Sequence, residues 1–213
     1  MRVVAFILYS LVLASLLLSV QAAGVLGDDS SEISPRREWS SLANGRNEFE
    51  VSDLSLVPSQ LADAAKQSDC RYSDDITKAP IRFVSIGSYL RIAIVFCRYS
   101  VTGSHQIFDF SSRDTKQKPR LIELPVITRP EGFRSTTSPG IIKWTNESGL
   151  LEAQSNSDMC GEPGVRHIYR FKNSLGGFVL TRVETAPDGC GSEAWTTIWQ
   201  SPIWITSDPR DAR

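Results

Sequence analysis

Beyond Cys70 the chain alternates apolar and polar residues with a period of two, and turn residues cut that alternation at short intervals. The apolar-alternating segments are 81–86, 89–96, 106–110, 120–125, 141–144, 150–154, 166–171, 178–184 and 194–200. The breaks between them include Gly87-Ser88, Thr102-Gly103-Ser104, Asn146-Glu147-Ser148-Gly149, the stretch from Asn173 to Gly177, and Pro187-Asp188-Gly189. Segments this short, with turns this frequent, predict a mainly β domain of antiparallel sheets, stacked as a sandwich or like propeller blades. A βαβ nucleotide-binding fold would need several long helical patterns between strands.

One helix is expected, across Val57–Gln67 before the first cysteine. Pro58 suits its first turn, and Leu61, Ala64 and Ala65 share one face. No second helix of useful length is legible. Residues 1–22 read as a signal peptide. Met1-Arg2 gives a positive start, Val3 to Val20 is almost wholly apolar, and Val20-Gln21-Ala22 places small residues where a peptidase cuts. The competing reading is an uncleaved anchor. The flank Gly27-Asp28-Asp29 is acidic, without the basic cluster of a stop-transfer segment, which favours cleavage. Cys70 is the first cysteine, so no lipid-bearing cysteine follows the leader. Residues 23–50, polar and charged with Trp39 among them, are expected to be a flexible tail, Trp39 at most docking on the domain. Residues 51–207 then form a single β-rich domain, with a short tail at 208–213.

Lys+Arg number 23 against Asp+Glu 24, a net charge of −1, which argues against a nucleic-acid partner or a polybasic membrane binder. With the leader removed, no stable membrane insertion is expected. Export makes the four cysteines candidates for two disulfides. Of the three pairings, Cys70–Cys97 with Cys160–Cys190 is favoured, because each closes a loop of about thirty residues and would stabilise the fold by about 3–4 kcal/mol on the chain-entropy model. No Cys-x-x-Cys pair is present for thiol exchange or zinc. The segments around Cys97, Cys160 and Cys190 also suggest a weak repeat of strand, cysteine-bearing turn and strand.

Candidate chemistry is sparse. His105 and His167 each precede an aromatic strand, and neither has a ligand spacing, so no metal or other cofactor is expected. Ser104-His105 is proximity along the chain only, and no Gly-x-Ser-x-Gly elbow is present. Asp158, Glu162, Glu184, Asp188 and Glu193 cluster around the second cysteine pair, candidates for the two carboxylates of a glycosidase or for calcium oxygens, although no loop matches the Asp-rich calcium pattern and exposed turns are acidic anyway. Trp195 and Trp199 are an even number apart, which on a regular strand puts both on one face; with Trp204 they form either core or an exposed aromatic platform. Arg166, Arg170 and Arg182 are candidates for a basic rung beside them. Asn146-Glu147-Ser148 matches a glycosylation acceptor in a turn, a triplet common by chance.

The order Asp158-Met159-Cys160-Gly161, Tyr169-Arg170-Phe171, Gly177-Phe178-Val179-Leu180, Cys190 and Trp195-Thr196-Thr197-Ile198-Trp199 resembles a family of exported bacterial proteins known only as a domain of unknown function. Leu90 and Val95-Phe96-Cys97 are similar to its earlier part, so the resemblance spans roughly residues 55–203. Met159 separates Asp158 from Cys160, which are usually adjacent in that family. Arg98-Tyr99-Ser100 stands where the family has a run of small residues. The resemblance implies a bacterial periplasmic protein and brings no catalytic residues. Taken together, the sequence predicts a non-enzymatic periplasmic or secreted protein. It would bind a protein or glycan partner of the cell envelope, with inhibition of a hydrolase as one form. The alternative is a periplasmic hydrolase or glycan-modifying enzyme using the acidic turns near Cys160 and Cys190. Trp195, Trp199, Arg166 and Arg170 are the candidate binding residues.

Overall fold

The computed structural model describes residues 33–72, 74, 76–99, 102–128, 131–155, 163–187 and 194–202. The expected leader, the Cys160–Cys190 pair, Trp204, the tail at 208–213 and the carboxylates Asp158, Glu162, Asp188 and Glu193 lie outside the described residues.

Two five-stranded antiparallel sheets and one two-stranded hairpin make up the β structure among the described residues. Sheet 1 runs β1 (Glu48–Val51), β2 (Ile81–Ile86), β3 (Leu90–Tyr99), β4 (Thr102–Asp109) and β5 (Arg120–Leu121), each beside the next. The hairpin is β6 (Leu124–Thr128) with β7 (Gly132–Thr136). Sheet 2 is the meander β8 (Ile141–Thr145), β9 (Leu150–Ser155), β10 (Gly164–Lys172), β11 (Gly177–Ala186) and β12 (Thr196–Gln200). Of the two stackings expected, the sandwich is the one observed.

Sheet 1 is buried on both faces, and that explains its sequence. On β3, Leu90, Ile92 and Ile94 point to a core shared with Leu151, Tyr169 and Leu180 of sheet 2. The alternate residues Ala93, Val95 and Cys97 point the other way, into a second core with Leu61, Ala64 and Ala65. A strand buried on both sides reads as a nearly continuous apolar run rather than a strict alternation. The molecule therefore has three layers: helices, sheet 1 and sheet 2.

The helical layer holds two helices. The expected one is α2, Ser59–Gln67, with Leu61, Ala64 and Ala65 buried as read. The other, α1, spans Pro35–Ala43. The expectation of a flexible tail over 23–50 is thus corrected within the described residues: α1 and β1 both fall inside it. Trp39 is the reason. It lies among Phe49, Phe83 and Phe110, edge-on to Phe49 at 5.5 Å between ring centres, and Phe49 stacks on Phe83 at 4.8 Å. Burying one such aromatic ring stabilises by several kcal/mol, and Ala43 and Leu42 add to the same face, enough to hold a nine-residue helix whose remaining face is polar. The chain leaves α1 through Asn44 and Gly45, both at positive φ. Glu38 of α1 accepts from the backbone N–H of Ser59 at 3.1 Å, so it caps α2, and burial raises its carboxyl above the ordinary value.

The Cys70–Cys97 disulfide joins the end of the α2 segment to β3, with a sequence separation of 27. Cys97 lies inside β3, opposite Ser104 of β4, so the reading of a cysteine-bearing turn is corrected for that unit. In the other two units the cysteines lie outside the described residues.

Candidate functional site

The candidate binding residues gather on sheet 2, but not on one face. β12 pairs with β11 as Thr196 with Thr185, Thr197 with Glu184, and Trp199 with Val183. Ile198 is therefore an extra residue, a β-bulge that shifts the face on which later side chains emerge. Trp199 packs toward the inter-sheet core and lies edge-on to Phe133 of β7 at 5.4 Å. Trp195, just before β12, covers the guanidinium of Arg166 on the outer face, 4.4 Å from its ring centre. The shared-face reading of the two tryptophans is corrected for this reason. Period-two counting fails across a bulge.

The arginines do not form a free basic rung either. Glu184 is buried, and its carboxylate receives Arg166 Nη2 at 2.5 Å and Arg182 Nε at 2.9 Å. Glu152 stands a further 4.0 Å from Arg166. The outer face thus carries a tryptophan-capped ion network in which Arg166 is already engaged. Arg170 is exposed on the same strand. Of the acidic set expected around the second cysteine pair, Glu184 is the described member, and these two arginines neutralise it.

The histidines join layers. His105 on β4 reaches across to sheet 2, where its Nδ1 accepts the backbone N–H of Ile142 at 3.0 Å. The backbone N–H of His105 donates to the carbonyl of Gly140 at 2.8 Å. Ser104 bonds the backbone of Gly140 rather than the imidazole: its Oγ accepts that residue's N–H at 3.0 Å. His167 on β10 accepts the N–H of Ile127 on β6 through Nε2 at 3.0 Å. Burial lowers both imidazoles, His105 to about 4, because charge is costly where water is excluded. A neutral acceptor facing a backbone N–H is a structural group, set against no nucleophile. Among the described residues, no cluster of three or more His, Cys, Asp or Glu is arranged to hold a metal ion.

One concave site was not legible in the sequence. At the end of the sandwich where the β2–β3 and β10–β11 turns meet, a cleft of about 240 Å³ opens between the sheets. A side-chain carbon added at Gly87 would lie 3.9 Å from Asn173 Oδ1, which puts the two turns side by side. Leu90, Ile122 and Phe178 form the apolar part of the lining, and Asp109 and Arg120 the charged part. The Asp109–Arg120 contact is 3.5 Å, while Asp109 Oδ1 accepts the N–H of Ser111 at 2.8 Å. Beside the cleft in sequence stand Tyr89 and Leu175, 69% and 70% exposed. Both are large side chains on the tips of adjacent turns, next in sequence to the apolar lining of the cleft. The signal that could have found them is the placement of a Tyr and a Leu within the turn segments 87–89 and 173–177.

Comparison of the chain with known protein families, with curated proteins and with solved structures finds no match.

Proposed function

We propose that this is a non-enzymatic exported protein of a periplasmic or secreted setting that binds a protein or cell-wall partner, inhibition of a hydrolase being one form. The observation that carries the reading is the turn-end cleft. It combines an apolar lining, a charged pair and two exposed apolar side chains on rigid sheet ends. The Cys70–Cys97 disulfide fits an oxidising compartment, and the resemblance over residues 55–203 points the same way. The commitment of both histidines to backbone groups favours binding over catalysis.

The test compares the mature oxidised protein with a Tyr89→Ser/Leu175→Ser variant in two assays: sedimentation with purified cell wall, and retention of proteins from envelope extract. Both side chains are largely exposed, so the variant keeps the core. At least tenfold weaker binding is expected, since a contact pair of this kind contributes about 1.5 kcal/mol or more. Equal binding by the two proteins would place the contact surface elsewhere and remove the observation on which the reading stands.

A further inference from the structure

We propose that the turn-end cleft takes one neutral sugar ring of a longer glycan. The inference rests on the binding reading above and names the ligand of the same site. Size comes first. Clefts that enclose a whole drug-sized molecule run from about 300 to 1,000 Å³. At about 240 Å³ this one accommodates a single ring, with the rest of a polymer passing outside over Tyr89 and Leu175.

Charge comes second. Asp109 and Arg120 stand together, so the lining is neutral in sum. A cationic ligand would meet Arg120, and an anionic one would meet Asp109. Their own contact, at 3.5 Å, is longer than the roughly 2.7–2.9 Å of a good charge-assisted hydrogen bond. Asp109 Oδ2 therefore keeps acceptor capacity and Arg120 keeps donors. A pair of neighbouring hydroxyls satisfies both at once, one donating to the carboxylate and one accepting from the guanidinium.

Shape comes third. Leu90, Ile122 and Phe178 offer apolar contact to the C–H face of a sugar ring, and the exposed Tyr89 ring offers a stacking surface for the next one.

The experiment is a nuclear magnetic resonance titration of the folded mature protein with the N-acetylglucosamine tetramer. The expected result is shifts confined to the cleft residues Leu90, Asp109, Arg120, Ile122 and Gly176–Phe178 and to Tyr89 and Leu175 beside them, with an affinity of about 1 mM. Arg120→Gln removes the guanidinium from a largely exposed side chain, leaves the core intact and should weaken binding at least tenfold. Asp109→Asn removes the carboxylate charge, keeps an oxygen for Ser111, and should weaken binding likewise. No shifts at about 10 mM, tenfold above that affinity, would overturn the proposal, as would shifts unchanged in both variants. If the sugar fails while Tyr89→Ser/Leu175→Ser still abolishes partner retention, the binding reading survives and its ligand is a protein.

Discussion

Acidification should loosen this sandwich through His105, and the size of the effect follows from its surroundings. In the folded protein its Nδ1 accepts the N–H of Ile142, and burial lowers the imidazole from the ordinary 6.5 to about 4. The unfolded chain therefore takes up the proton first as pH falls. A depressed folded value means that this contribution is complete above about pH 6.5, declines as pH drops, and is exhausted below about pH 4. Each unit of difference amounts to about 1.4 kcal/mol, so the loss is about 2 kcal/mol by pH 5 and about 3 kcal/mol by pH 4. For a domain of this size, the loss at pH 5 lowers the melting temperature by about 4–8 °C. His167 is shifted in the same direction by burial and adds to the slope. The assay is denaturant unfolding of the mature protein at pH 7, 6 and 5, beside His105→Gln, whose side-chain carbonyl can accept the same N–H without titrating. The wild type should lose about 2 kcal/mol more than the variant between pH 7 and 5. Equal pH dependence in the two proteins would refute the assignment of that proton to His105, and with it the account of the β4–β8 seam.

Two further outcomes test the packing. Trp39→Ala should destabilise by about 3–5 kcal/mol in the same unfolding assay, because it empties a site enclosed by Phe49 and the helical-layer core; a change under about 0.5 kcal/mol would mean that α1 is not docked. Glu184→Gln should cost about 2–3 kcal/mol, since it leaves Arg166 and Arg182 facing an uncharged buried amide, and an unchanged melting temperature would show that the outer-face network is only a surface pairing.

The strands of this fold were legible where packing imposes a period. The segment 81–86 coincides with β2, and the segments of sheet 2 match β8–β11 to within a few residues. The elements that escaped are those whose burial is too narrow to pattern a sequence. Helix α1 puts Pro35, Trp39, Leu42 and Ala43 on one face, a stripe the sequence carries but so short, and so set among charged and polar residues, that it reads as a tail. Strand β7 has no buried position at all, so nothing separates Gly132–Thr136 from a loop. Of the two expected disulfides, Cys70–Cys97 forms as loop length suggested, and Cys160 and Cys190 lie outside the described residues.

The candidate site was less legible than the fold, for two separate physical reasons. The tryptophan pair was misplaced because a bulge carries no obligatory residue. Ile198 looks like any strand residue, yet it moves Trp199 inward and leaves Trp195 over Arg166 outside. The cleft was invisible because it is built from non-local pieces. Leu90 opens β3, Asp109 closes β4, Arg120 begins β5, and Gly177 opens β11. No spacing along the chain links these four. The sandwich does so by bringing the ends of two meanders to one edge. A site of this kind depends on how the sheets are stacked rather than on any motif. It follows that substitutions in the inter-sheet core, such as at Tyr169 or Leu151, alter the shape of the cleft without touching it, by changing the distance between the two sheets.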